Sequence, residues 1–214
     1  SNIILGQGIP ELVGVLLRKK KKKYNNITTF MESGVIGGIP ERRPDFGVAF
    51  GPSAFLTQDN QFVGFNGGHI DVAILSFVEF DQYGNINVSF LGKDYFGCGG
   101  YIDICHAAKT IIFVGSFTAK KLDVVKKNRE VSIINEGEIK KAVKKVKEIT
   151  FSSLLHNKRG DKIIIITERC IFNIENEKIV LKEVFPGIDI HRDILSKMGF
   201  VPKIDNSLEG LINE

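Results

Sequence analysis

Short runs of Ile, Val and Phe, cut off by glycine and polar turns, constrain this chain more than any other feature. "TIIFVGSF" begins at Thr110, "HIDVAILSFVEF" covers 69–80 and "DKIIIITERCIFNI" begins at Asp161. None approaches the roughly 18 apolar residues of a membrane span. With few polar residues interleaved, they read as strands covered on both faces. "NITTFM" and "EVSIINEG" predict two further strands. Between these lie helical patterns. "IPELVGVLL", 9–17, has a helical period after Pro10, and "GCGG", 97–100, opens a helix through Cys105 and Ala108. "DIHRDILSKMGF", 189–200, predicts another, stopped at Gly199. Residues 41–66 read as loop-rich, and the lysines from Lys140 to Glu148 are expected to face water. Strands alternating with helices predict an α/β fold with an open, mostly parallel sheet flanked by helices.

The 214 residues fit one domain, expected to span 1–214 with a loosely ordered tail from about 203. Three cysteines at unrelated spacings argue against a disulfide framework and for a reducing compartment, the cytoplasm or, in a eukaryote, the mitochondrial matrix. The start at Ser1-Asn2, without Met, is expected of a processed, cloned or severed N-terminus. A net charge of +4 is too weak to imply a nucleic-acid partner, and no membrane association is expected. The one dense charge run, Arg18 to Lys23, fits a solvated loop after a helix or a contact with an anion such as phosphate.

"MESGVIGGIP", 31–40, sets a single carboxylate, Glu32, at the end of the "NITTFM" strand and the mouth of a glycine turn. In open α/β sheets the ligand crevice lies beyond the carboxyl ends of strands. There Glu32 has the chemistry of a general base or of a covalent nucleophile. Gly34, Gly37 and Gly38 carry no side chains, so a large substrate is expected to come close to their backbone. The plainer reading is a turn acid with its head in water. Likewise "GCGG" is either a nest of amides for an oxyanion or a tight corner. His69, His106, His156 and His191 are scattered, and Cys98 and Cys105 lack a matching pair. No metal site is expected. There is no Walker loop or nucleophile elbow, and "GFNGGH" has the wrong spacing for a dinucleotide fingerprint.

Taken in order, "ILGQGIPELV", "MESGVIGGIP", "FNGGHIDVAIL", "YGNINVS", "GCGGYIDI", "GSFTA", "ITERCIF" and "PGIDI" resemble the glutamate-bearing half of family I CoA-transferases, from Ile4 to about Pro202. The likeness is to the acetate, propionate and short-chain acyl group, with its Glu-Ser-Gly motif, rather than to the 3-oxoacid enzymes. It implies an isomerase-like half-domain in which Glu32 attacks an acyl-CoA thioester. A glutamyl-CoA thioester then forms and passes CoA to a carboxylate acceptor by ping-pong exchange. It further implies that Gly99 first, then Gly100, supply backbone oxyanion donors. Ser33, Gly34, Gly37, Gly38, Gly97 and Cys98 would lie against CoA. Coenzyme A is then substrate and covalent intermediate, and no permanently bound cofactor is implied.

The resemblance also implies a partner. Family enzymes have a second α/β half that supplies an amide side chain to the oxyanion hole and a glycine-rich segment that grips CoA, and nothing in this chain matches it. The chain is expected to be a separate subunit or a severed C-terminal half, the missing Met favouring the latter. It would act with the matching N-terminal or alpha half on acyl-CoA and carboxylate substrates, in a higher homo-oligomer, in short-chain fatty-acid, ketone-body or propionate metabolism. Two other functions remain open: a non-catalytic metabolite-binding domain of the related fold, and an acyl-CoA hydrolase.

Overall fold

The computed structural model describes residues 1–20 and 26–211, with the side chains of Arg18, Glu209, Gly210 and Leu211 undescribed. Lys21 to Lys23 of the basic run lie outside the described residues. The chain packs as two compact units, Ser1–Ser76 with Cys98–Val114, and Phe77–Gly97 with Gly115–Glu214. Among the described residues no helix is long and apolar enough to cross a membrane.

The first unit holds β1 (Asn2–Leu5), α1 (Glu11–Lys19), β2 (Thr28–Phe30), β3 (Val35–Ile36), β4 (Ile39–Pro40), β5 (Ala49–Phe50) and β6 (Ala54–Phe55). These are followed by α2 (Gln58–Gly64), β7 (Val72–Leu75), α3 (Tyr101–Ala107) and β8 (Thr110–Val114). Its sheet runs β8-β7-β1-β2-β3-β6. The pairs among β8, β7, β1 and β2 are parallel, with Ile3 beside both Thr29 and Val72. The mostly parallel sheet expected from the apolar runs is therefore present here, and only β3 and β6 run antiparallel. Along β8, Ile111 and Phe113 are fully buried and Thr110, Ile112 and Val114 less so, because successive side chains point to opposite faces. β7 lies on one side of β1 and β2 on the other. The connections thus diverge from β1, as at the switch point of a doubly wound sheet. α1 comes close to β4 because residue 14 is glycine; a Cβ there would lie 2.8 Å from the Pro40 carbonyl oxygen.

The second unit is built on an antiparallel meander, Lys162–Ile166, Cys170–Glu175 and Lys178–Val184, with Lys203–Ile204 added parallel to the last strand. Lys203 and Ile204, at the start of the segment expected to be loose, are thus paired, and Lys182 holds Asp205 at 2.7 Å. Phe77, Phe80, Phe117 and Phe172 form its core, with ring centroids 5.5 to 6.3 Å apart. Two expectations are corrected here. Residues 189–200 form a five-residue π turn and a short 3-10 turn, and Gly199 is no helix stop. Its N–H instead donates to the Ala142 carbonyl at 2.7 Å, and a Cβ would come within 3.0 Å of Lys144 N. Nor does the whole lysine run face water: Lys141 is buried with its ammonium 4.1 Å from the centre of the Phe77 ring. Burial there lowers its pKa to about 8, against the opposing charge of Glu168.

A buried cation organises this unit. Arg169 is 0% exposed. Its guanidinium donates to both Glu136 oxygens (2.8 and 2.6 Å), to Glu168 (2.8 Å) and to the Asp193 carbonyl (2.7 Å). Burial works against the charged form of Glu136. The Arg169 and Thr118 hydrogen bonds and the Arg169 charge outweigh it and hold the pKa at about 2. A depressed carboxylate binds fewer protons folded than unfolded. The pair's contribution to stability is therefore present above the unfolded value, about 4.3, and is lost as pH falls toward 2. Arg169→Met leaves the carboxylates without their cation and is expected to cost about 3 kcal/mol. It should also flatten the acid dependence, as read from urea unfolding midpoints between pH 7 and pH 3.

Candidate active site

The chain reverses direction between β2 and β3 in a short turn. Phe30 pairs with Ile36, the Met31 N–H donates to the Val35 carbonyl at 3.0 Å, and the Gly34 N–H donates back to the Met31 carbonyl at 3.0 Å. Only Glu32 and Ser33 remain outside these bonds, so Glu32 is carried at the tip of a tight turn. Gly34 makes the turn possible. Its φ is +100°, and a Cβ there would lie 2.0 Å from the Leu56 carbonyl oxygen.

The same β2 end lies at the carboxyl edge of the parallel strands, and so does the N-terminus of α3, which precedes β8. That arrangement brings Gly100 to Glu32. A Cβ on Gly100 would meet the Glu32 carboxyl carbon at 3.1 Å and the Phe62 ring at 2.5 Å. Burial raises the pKa of Glu32 above the usual carboxylate range, and the Gly100 N–H, which donates to the carboxylate, opposes the shift in part. The acid is thus half-buried beside one backbone donor and one aromatic wall.

Not every expected site residue is used as anticipated. Gly100, rather than Gly99, abuts the carboxyl; Gly99 has φ +52° and nothing within 4 Å of a Cβ. Gly97 is equally open, and Cys98 is half-exposed. The open approach expected over Gly34, Gly37 and Gly38 is occupied by the chain itself. A Cβ on Gly37 would strike the Ser53 hydroxyl at 2.5 Å, and one on Gly38 the Phe50 carbonyl oxygen at 2.7 Å. These glycines fit strands together. The Ser33 hydroxyl donates to the Gly47 carbonyl, which fastens the turn to the next loop.

Two residues around Glu32 escaped sequence reasoning. Phe62 lies over Gly100, on the same side as the Glu32 carboxyl, and Gln61, 2% exposed, donates its side-chain amide to the Met31 carbonyl at 3.1 Å. Both lie on α2, a seven-residue helix with mostly polar residues inside a stretch that reads as loop. The only signal is faint: Gln61, Phe62 and Phe65 stand at helical spacing after the extended Thr57. Among the described residues no cluster of three or more His, Cys, Asp or Glu is placed to hold a metal.

Comparison with known proteins gives the arrangement its context. No family model matches the chain. An acetate CoA-transferase of Escherichia coli strain K12 is 38% identical over 205 residues, 96% of this chain. The chain belongs to the family I CoA-transferases, as their beta, glutamate-bearing half. A caffeate CoA-transferase of Acetobacterium woodii is 37% identical over 98% of the chain. One subunit of the succinyl-CoA:3-ketoacid coenzyme A transferase of Helicobacter pylori J99 is 26% identical over 87% of this chain and 83% of its own length. An E. coli O157:H7 acyl-CoA transferase, solved as a thioester complex with CoA, superposes with a TM-score of 0.89 at 35% identity. The match covers 97% of this chain and 39% of that one. The chain spans 38% of the length of the K12 CoA-transferase and 41% of the caffeate enzyme.

The turn of this CoA-transferase half leaves no room for a side chain at residue 34. Gly34→Ala forces an L-residue to a positive φ and into the Leu56 carbonyl. It is expected to cost about 2 kcal/mol or more, seen as a lowered thermal midpoint by circular dichroism.

Proposed function

We propose that this chain is the glutamate-bearing half of a CoA-transferase that moves CoA from a short-chain acyl-CoA to a carboxylate acceptor. One observation carries the reading: a single carboxylate stands at a strand's carboxyl end, half-shielded by Phe62, with the Gly100 N–H against it. The similarity to named CoA-transferases, one crystallised as a thioester with CoA, supports it.

The steps follow from these groups. The Glu32 carboxylate adds to the thioester carbonyl; the C–S bond breaks, CoA leaves as thiolate and an acyl-glutamyl anhydride remains. The thiolate then attacks the glutamyl carbonyl, forming the glutamyl-CoA thioester and releasing the donor acid as carboxylate. An acceptor carboxylate runs the same steps backwards. When thiolate attacks Glu32, negative charge collects on a carboxyl oxygen. In this reading the Gly100 N–H stabilises it, with Gly99 as a second donor. Cys98 and Gly99, uncovered beside Gly100, face CoA, whereas Gly34, Gly37 and Gly38 shape the turn and Ser33 anchors it.

Activity further requires the matching alpha half, since the H. pylori relative is itself named as one subunit of its enzyme. Around the turn, Val48, Phe50, Phe55, Leu56 and Val63 are 44% to 72% exposed. So much uncovered apolar side chain on the elements that buttress Glu32 suits a partner surface. The three free cysteines suit a reducing compartment, which we take to be the cytoplasm.

Incubating the complete enzyme with acyl-CoA but no acceptor should leave CoA on Glu32. Borohydride reduction and mass spectrometry should place the change in the Tyr24 to Arg42 peptide. Glu32→Gln should abolish both label and exchange; label elsewhere, or exchange that persists, overturns the assignment. Because Glu32 must ionise and its pKa is raised, the acid limb of the rate profile should lie above pH 4.3, about the unperturbed value. Gly100→Ala, which drives a methyl between Phe62 and Glu32, should lower turnover about 10²-fold. Gly99→Ala should do far less, as steady-state kinetics will show.

A further inference from the structure

The turn that presents Glu32 does not hold itself. Its closing bonds run from Met31 N–H to the Val35 carbonyl and from Gly34 N–H to the Met31 carbonyl, 3.0 Å each. Both carbonyls then receive a second donor from one group. The Gln61 side-chain amide lies 3.1 Å from the Met31 oxygen and, more weakly, 3.5 Å from the Val35 oxygen. One amide thus spans the two residues between which Glu32, Ser33 and Gly34 are strung.

Gln61 is in turn fixed by its helix, its own N–H donating to the Thr57 carbonyl at 3.0 Å. The next residue on that helix, Phe62, forms the wall over Gly100 and beside the Glu32 carboxyl. The Phe62 ring stacks edge-on to Phe65, at 5.2 Å, and Phe65 is completely buried. Helix α2 therefore fixes the height of the turn through Gln61 and the position of the wall through Phe62, as one rigid piece.

We propose that Gln61 is the positioning residue of the Glu32 carboxylate, holding the 31–35 turn in the register that sets the carboxyl against the Gly100 N–H and the Phe62 ring. The catalytic consequence rests on the CoA-transferase reading; the positioning does not. A buried glutamine with no such task would be replaceable by an apolar side chain of its size at little cost beyond local packing. Here, loss of the amide leaves the two carbonyls to their turn bonds alone and lets the tip swing away from the wall toward water.

The test uses the complete enzyme, with and without Gln61→Met, a swap of similar length and volume that removes both donors. Glutamate labelled with carbon-13 at the carboxyl is titrated by NMR, the Glu32 signal being assigned by its absence in Glu32→Gln. In Gln61→Met the Glu32 pKa should fall back toward the ordinary 4.3 or so. In kinetics kcat should drop about 10²-fold, the scale of a misplacement near 1 Å, with KM for acyl-CoA within about twofold. An unchanged Glu32 titration with kcat within about twofold of wild type overturns the proposal.

If Gln61→Met does not fold, Gln61→Glu decides. Its carboxylate repels the two carbonyls, while its protonated form restores a donor. Its activity relative to wild type should therefore climb as pH is lowered, and a flat ratio refutes the role. Should wild type form no glutamyl-CoA thioester while the titration still shifts in Gln61→Met, the functional reading fails and the positioning stands.

Discussion

The short turn from Met31 to Val35 is the constraint on which the rest of the site depends. Gly34 must sit at φ +100° beneath the Leu56 carbonyl, whose own residue donates its N–H to Gly34 O at 2.8 Å. That contact ties the turn to β6 and, through the next residues, to α2, which starts at Gln58. Glycine serves here as a spacer that lets two stretches of backbone touch. Gly37 and Gly38 do the same against Ser53 and Phe50, and Gly100 does it against Phe62.

The parallel sheet supplies the address. Strands β2 and β7 leave β1 in opposite directions, and the two pieces that meet, the end of β2 and the start of α3, both belong to the carboxyl edge. α3 has only seven residues, so its macrodipole is a minor contribution. The donor that matters is local: a single N–H pointed at a carboxylate that burial has made less willing to ionise.

Much of this was legible in the sequence. The Ile- and Val-rich runs marked the buried strands because both faces of a central parallel strand are apolar. Glu32 could be singled out because an isolated acid between a buried strand and a run of glycines has few structural tasks. Composition could not separate Gly99 from Gly100. Both are glycines at one corner, and only the fold shows that one touches Phe62 and Glu32 while the other faces open space. Gln61 was hidden for another reason: α2 buries it in a seven-residue polar helix whose pattern is too short to read. Lys141 misled in the opposite sense. In a run of lysines it looked solvated, yet the pairing of Ala142 with Phe80 sets it over the Phe77 ring.

In the proposed reaction Glu32 would have to satisfy two demands that pull against each other. A nucleophile works best ionised, but a carboxylate in full contact with water is weakly reactive and its thioester would be open to hydrolysis. Burial removes water and raises the pKa; the Gly100 N–H brings it partly back. The compromise depends on the distance between the turn and the wall. A carboxyl drawn too close would stay protonated, and one held too far would be an ordinary surface acid. On the role proposed for Gln61, the wall and the clamp on the turn are consecutive residues of α2, and that distance is set within one helix rather than by the sum of several loops. A half-buried acid can therefore keep one position while the loops around it vary, which a turn held only by its own backbone could not guarantee.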